Sequence, residues 1–525
     1  MLLKSELIKK NYIYLIFFLT YFLSFGLSLL NNGIYFDDWV LYGQSRHSIL
    51  VMFTQAAGTA GYIIGYIHIF LLSLGHAIFF YRLLTFAFFF LAGIFLYRIL
   101  DYIDEIDPKD RIFVILLFLL LPFNNARNTL ICFGYSFCYF SFFAAFYVFS
   151  KYRDNPLARL VSLVAFFFSF FTNTILCFYG IFLLFIVYKS RKGLNSFWSV
   201  IRVILMHIDY FIAPILFWII KNLFFQPTGL YEGYNEITVP MVLNYPYDKL
   251  IGLLWGNIQG LLNLSFIKAW HIIIMLLFAL VFFFFPVKKL KSDTRRNDFM
   301  FLVLGILSMS IAVFPYAVIG KDPHFYDWGS RYQLLLPLGA SFVLYYGLRI
   351  LVTHFFLNKS IFLLLMVLYV IILIITNINI QLDFLKDWYK QASILNNFND
   401  NEIIKNNTTF MISDNTPEYN VNKRTYRFYE YTGLMKRAYG NEVRFVLEGE
   451  FQNIKSIEKL THCFTEEYNM KDYKLRSFEY TIKINPGTYS LTAKNCLKLI
   501  YYENFKNSKF NEQIKNIIKL EIVKM

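Results

Sequence analysis

The chain has 525 residues, 57% of them hydrophobic and 20% aromatic, with a formal net charge of +15. So large an apolar share excludes a soluble fold and leaves a polytopic membrane protein. The basic residues fall in clusters between apolar runs, which excludes a nucleic-acid groove and marks loops on the inner side of a membrane.

Lys4, Lys9 and Lys10 precede an apolar run at 12–30 that ends in Asn-Asn-Gly without a small-residue cleavage site. It reads as an uncleaved first span starting in the cytosol. The stretch Gly33-Ile34-Tyr35-Phe36-Asp37-Asp38-Trp39 then lies outside. A charge beside the hydrocarbon core is costly unless it is solvated, paired or used. Two adjacent acids flanked by aromatics are therefore the lead for an active site, against a solvated loop with interfacial aromatics. Residues 40–58 read as interfacial, 60–75 as a helix along the outer interface, and 78–99 as the second span. His68, His76 and Arg82 interrupt the apolar character here, and the two histidines are expected as packed or interfacial groups.

With one span in this region, Arg98, Lys109 and Arg111 fall inside. Spans follow at 111–123, 129–149, 157–172, 175–188 and 200–220, joined by short polar turns or basic inner loops. A Tyr-, Pro- and Gly-rich external loop at 222–250 leads to an amphipathic interfacial stretch at 250–266. Spans at 268–286, 298–317, 333–352 and 360–378 bring the total to about eleven, with every strong basic cluster inside. From 380 the apolar runs shorten. Residues 381–398 read as a helix leaving the membrane, and 408–413, 443–447, 478–484 and 488–492 as strands. The expected organisation is mostly α: a membrane domain over 1–379, with external loops at 31–60, 222–266 and 318–332, and an external α+β domain over 380–525. Cys132, Cys138 and Cys177 lie in apolar runs as core residues. Cys463 and Cys496 lie in the tail, where an external location permits a disulfide. No Cys-x-x-Cys or His-rich spacing suggests a metal site.

The order of features resembles the C-type (GT-C) integral-membrane glycosyltransferases. It rests on the acid pair in the first external loop and on Leu74-Gly75 before Tyr81–Leu84. It rests also on a broken hairpin at Leu121-Pro122 and a late external Ser330–Pro337 stretch (Ser-Arg-Tyr-x-Leu-x-x-Pro). The resemblance covers roughly residues 10–350 and carries more weight in the order of its parts than in any one of them. It implies transfer of a sugar from a polyprenyl-phosphate donor to an envelope glycan or lipid-linked acceptor at the outer face. Asp37 is then the base, and Asp38 orients it, contacts the acceptor or binds a cation such as Mg or Mn.

A hydroxyl attacking an anomeric carbon needs a carboxylate base, and the departing phosphate needs a cation. Arg331 is the first choice for the phosphate because a guanidinium binds it in bidentate fashion. Arg127, Lys321 and His324 are candidates for the same task. Tyr35, Trp39, Tyr326, Trp328 and Tyr332 either stack on sugars or anchor the loops. Relatives often carry another acid in the turn that here reads Asn124-Asn125-Ala126-Arg127, which removes the basis for a two-carboxylate metal site. A bacterial inner or plasma membrane is the expected location, with a cytoplasmic N-terminus. The competing reading is a transporter or flippase of lipid-linked glycans. Such a protein should carry polar groups within its spans, often with repeat symmetry. The mid-span regions are Phe, Leu and Ile, which favours interfacial chemistry.

Overall fold

The computed structural model describes residues 2–191, 196–233, 236–262, 295–325, 328–355, 359–440, 444–448 and 478–525. The architecture is mostly helical, with a small sheet near the C-terminal end. Among the described residues, five helices are long and apolar enough to cross a membrane: Tyr12–Leu30, Ala77–Leu100, Phe133–Tyr152, Asn297–Val318 and Ile361–Asn399. A sixth candidate is a pair, Phe197–Met206 and Ile208–Phe224, bent by 63° at His207. Of the eleven expected spans, those at 12–30, 78–99, 129–149, 298–317 and 360–378 fall on these five helices, and 200–220 falls on the bent pair. The runs expected at 111–123, 157–172, 175–188 and 333–352 also form helices, at Pro108–Leu120, Pro156–Ser169, Thr174–Ser190 and Leu336–Phe355, and 268–286 lies outside the described residues.

In chain order the first helices are α1 (Leu2–Phe25), α2 (Arg46–Ala57), α3 (Ala60–Ser73), α4 (Ala77–Leu100), α5 (Pro108–Leu120) and α6 (Phe133–Tyr152). They continue with α7 (Pro156–Ser169), α8 (Thr174–Phe178), α9 (Gly180–Ser190), α10 (Phe197–Met206) and α11 (Ile208–Phe224). Local chemistry sets their ends. Pro108 opens α5, where its missing N–H costs nothing, and Pro122 follows the helix end. Asn155 caps α7 by accepting the N–H groups of Leu157 and Ala158 at 2.9 and 3.2 Å. The bundle core is aromatic, with edge-to-face pairs such as Phe149–Phe182 at 5.0 Å and Phe166–Tyr179 at 4.8 Å. Elsewhere, helix Arg295–Val318 meets helix Leu336–Phe355 through Gly305 and Gly339. A Cβ on Gly339 would lie 2.6 Å from the Gly305 carbonyl oxygen, so only small residues permit this approach. His68 is a packed histidine, its Nδ1 2.7 Å from the Tyr81 hydroxyl.

One uninterrupted helix, Lys359–Asn399, replaces the expected span at 360–378 and the separate helix at 381–398. Its 41 residues extend about 60 Å, and they contain neither Pro nor Gly. Phe362, Met366, Val370 and Leu373 pack into the helix bundle, whereas Leu385, Trp388, Ile394 and Phe398 pack against the sheet. The boundary at 379/380 thus falls inside a helix.

The sheet has the order β2-β1-β3-β4, with β1 (Thr409–Asp414), β2 (Phe445–Glu448), β3 (Tyr480–Pro486) and β4 (Ile518–Lys524). β1 is parallel to β2 and β3, and β4 closes the edge antiparallel to β3. Helix Phe428–Tyr439 makes the crossover from β1 towards β2 and ends on Gly440, at φ +69°. Residues 488–492, expected as a strand, instead form the approach to helix Ala493–Phe505. Thr492 caps that helix by accepting the Asn495 N–H at 3.2 Å. The last strand pairs instead through 518–524. Cys496 is a buried free thiol, and its proposed partner Cys463 lies outside the described residues.

Candidate functional site

The loop after α1, residues 31–45, is held from three sides. Arg82, from α4, donates to the carbonyls of Ser28, Asn31 and Gly33, at 3.2 and 2.7 Å for the first and last. Gln391, from the long helix, pairs with Ile34 in both directions: its Nε2 donates to the carbonyl at 2.8 Å and its Oε1 accepts the N–H at 3.2 Å. The Tyr35 hydroxyl lies 2.8 Å from Asn31 Oδ1 and 2.6 Å from the Phe384 carbonyl. Tyr35 is fully buried and so braces the loop rather than facing a sugar.

The chain then turns through a short 3-10 segment, Phe36–Val40, which points the two adjacent acids into different environments. Asp38 is fully buried. Its Oδ1 accepts the Ile131 N–H at 2.9 Å and its Oδ2 the Tyr35 N–H at 3.3 Å. Burial pushes its carboxyl up to about 7, against the opposing pull of these N–H groups and of Arg82. Asp38 therefore ties the loop to the 130–131 segment. Asp37 is half-buried and faces outward from the turn. Its Oδ1 lies 3.3 Å from the Tyr429 hydroxyl, and the Trp328 side chain hydrogen-bonds to the same carboxylate. Burial raises its pKa above the usual carboxylate value, with Arg331 as the strongest opposing influence.

Arg331 is fixed by Trp328 and Tyr332. It donates to the Trp328 carbonyl at 2.8 Å and to the Tyr332 hydroxyl at 2.6 Å. Its guanidinium lies 4.1 and 4.5 Å from the two ring centroids. Lys321 extends the same cluster, 5.8 Å from the Tyr332 ring. The turn after α5 is locked onto the loop that carries Arg331. Ser330 Oγ accepts the Ala126 N–H at 2.9 Å, and Asn125 Nδ2 donates to the Phe325 carbonyl at 3.1 Å. Asp37, Arg331, Tyr332 and Lys321 thus come together although they stand far apart in the chain.

Other candidates do not join them. Arg127 turns into the bundle, with its guanidinium 3.4 Å from the Phe25 ring centroid and 5.3 Å from that of Phe89. Burial lowers its pKa. Trp39 is a wedge under the C-terminal domain. His324 packs against Gly329, with Nδ1 2.8 Å from the Asp322 carbonyl. Tyr326 and Asp327 lie outside the described residues. Among the described residues no three His, Cys, Asp or Glu side chains gather as a metal site.

Two residues from the far end of the chain complete the site, and nothing in their local sequence signals it. Tyr429 reaches Asp37 from helix Phe428–Tyr439. Arg424 places its guanidinium 4.2 Å from the Phe36 ring centroid while bonding both oxygens of Glu430 at 2.5 and 2.7 Å. Phe36 also stacks on Trp328 at 5.4 Å. It holds φ at +52°, a left-handed conformation that is strained for a bulky residue, directly beside the half-buried Asp37.

The seam between this loop and the C-terminal domain gives a direct prediction. Trp39 is 4% exposed, and a Cβ on Gly433 would lie 2.3 Å from its indole Cε3. Gly433→Ala is expected to cost about 1–3 kcal/mol by overpacking a rigid ring, read as a lower midpoint in thermal unfolding of the detergent-solubilised protein. An unchanged midpoint would mean that this seam yields freely.

Comparison with protein-family models, with curated proteins and with solved structures found no match to this chain.

Proposed function

We propose that the chain is a membrane glycosyltransferase that moves a sugar from a polyprenyl-phosphate donor to an envelope glycan or lipid-linked acceptor. One observation carries the reading: the charge that most favours ionisation of the half-buried Asp37 is Arg331, a cation that aromatic and backbone contacts hold in place. The acceptor hydroxyl gives its proton to Asp37 as its oxygen bonds the anomeric carbon. The bond from that carbon to the phosphate oxygen breaks, and the polyprenyl phosphate leaves with its charge beside Arg331. Lys321 adds positive potential nearby, and Asp38 serves by fixing the turn. This places the acid loop and the C-terminal domain on the outer face of a bacterial plasma membrane, with the N-terminus in the cytoplasm.

The test compares glycans and carrier lipids by mass spectrometry in cells with the wild-type protein, a deletion, or Arg331→Gln at matched membrane levels. The deletion should remove one sugar and accumulate a polyprenyl-phosphate sugar. Arg331→Gln should lower transfer about 10- to 100-fold, equivalent to about 1.4–2.7 kcal/mol of lost transition-state stabilisation. A deletion that changes neither the glycans nor the carrier-linked sugars would sink the reading. Loss of the glycan with carrier-linked sugar retained on the inner face would point instead to transport.

A further inference from the structure

At the end of the bundle away from the C-terminal domain, the last turns of α6 and α9 and the break between α10 and α11 surround a cavity of about 340 Å³. Tyr102, just beyond α4, closes another side. Arg153 and Lys189 supply two cations, Ser150 and Ser190 two hydroxyls, and among the described residues none that lines the cavity is acidic. Lys189 Nζ is held by the Tyr102 carbonyl at 3.1 Å. The neighbour of Arg153, Asp154, is 3.6 Å away and 92% exposed, so it neutralises Arg153 weakly. His207 lines the same cavity, and its Nδ1 is buried without a hydrogen-bond partner.

The surroundings place this pocket at headgroup level. The α10 helix beside it exposes Phe197 and Trp198, each 74% accessible, with Leu205 and Met206 further along, as a helix lying in an interface does. Basic pockets between membrane helices are a recurring way of holding lipid phosphates, and the volume is that of a small-ligand site.

We infer that this cavity is a binding site for a phosphate anion at the membrane interface, separate from the Asp37 cluster. Arg153 and Lys189 carry the recognition, and the phosphate fills the space that they, Ser150, Ser190 and the His207 side chain line. The phosphate can belong to an anionic phospholipid, to a polyprenyl phosphate or to free phosphate, and each source gives a different result.

The experiment is native mass spectrometry of the purified full-length protein, titrated with phosphatidylglycerol, phosphatidylcholine or undecaprenyl phosphate. Arms with and without millimolar inorganic phosphate are run in parallel. One tightly retained anionic lipid, with phosphatidylcholine lost, is the expected result. Displacement of that lipid by inorganic phosphate would show that the free anion suffices, whereas its persistence would assign the site to a lipid headgroup. Preference between the two anionic lipids identifies which headgroup. The pair Arg153→Gln with Lys189→Gln should weaken retention at least about 10-fold. Lys151→Gln, on the same helix end but outside the cavity, should leave retention unchanged. Thermal unfolding of the double variant checks that it remains folded, and each single variant should show a smaller loss. Equal retention of phosphatidylcholine, or full retention by a folded double variant, overturns the inference.

Discussion

Asp37→Asn, at matched membrane levels, is expected to lower sugar transfer by about 100- to 10,000-fold, the usual contribution of a positioned general base. The amide keeps the shape of the side chain and can still accept from Tyr429, so folding should survive. What it cannot do is take a proton. Under the proposed mechanism the carrier-linked sugar should accumulate, while donor binding, assigned there to Arg331, should persist. The pH profile supplies an independent check. Burial raises the Asp37 pKa in the folded protein, and a base works only when ionised. Activity of the wild type should therefore fall as pH drops through that raised value, and the residual activity of Asp37→Asn should lose this limb. An Asn variant with wild-type transfer would remove Asp37 from the chemistry.

The second large effect concerns stability. Arg349 bridges Asp110, at 2.5 Å, and Asp298, at 3.1 Å, and the Tyr345 hydroxyl donates to Asp110 at 2.6 Å. All three charged side chains are buried, with 5–9% exposure, at one end of the bundle. The cluster joins α5 to the helices that begin at Arg295 and Leu336. Removing Arg349 leaves two carboxylates facing each other out of water. Arg349→Leu is expected to cost about 3–5 kcal/mol, measured as denaturant unfolding in detergent micelles. Asp298→Asn should cost less than half as much, because Asp110 still neutralises the arginine. Similar losses for both variants would show that geometry, not charge balance, holds the cluster.

How much of this was legible beforehand depended on distance along the chain. Continuous apolar runs marked α1, α4 and the helix from Arg295 to Val318, because a membrane helix is a local pattern. The acid pair stood out for the same reason. Which acid faces outward was not legible, since neighbouring residues on a tight 3-10 turn diverge by an angle that no composition encodes. Arg127 looked like a loop cation, yet its side chain turns inward onto Phe25. Tyr429 and Arg424 reach the first loop across nearly 400 residues, and only the packing of helix Phe428–Tyr439 on Trp39 brings them there. In the tail, the Thr-Tyr-Ser-Leu-Thr stretch at 488–492 alternates like a strand but is spent on a helix cap. The edge pairing fell to Ile518–Lys524, whose alternation was equally good. Local pattern could not choose between them, because β3 had room for one partner on that side.

Helix Lys359–Asn399 makes the sheet domain the head of a stiff shaft rooted in the bundle. With neither proline nor glycine along its length, this shaft offers no joint about which the head can swing. Resting on Trp39 at Gly433 and hydrogen-bonded from Tyr429 to Asp37, that head caps the acid from one side. Under the proposed transfer, a lipid-borne carrier would come to Asp37 from the side that the head leaves uncovered.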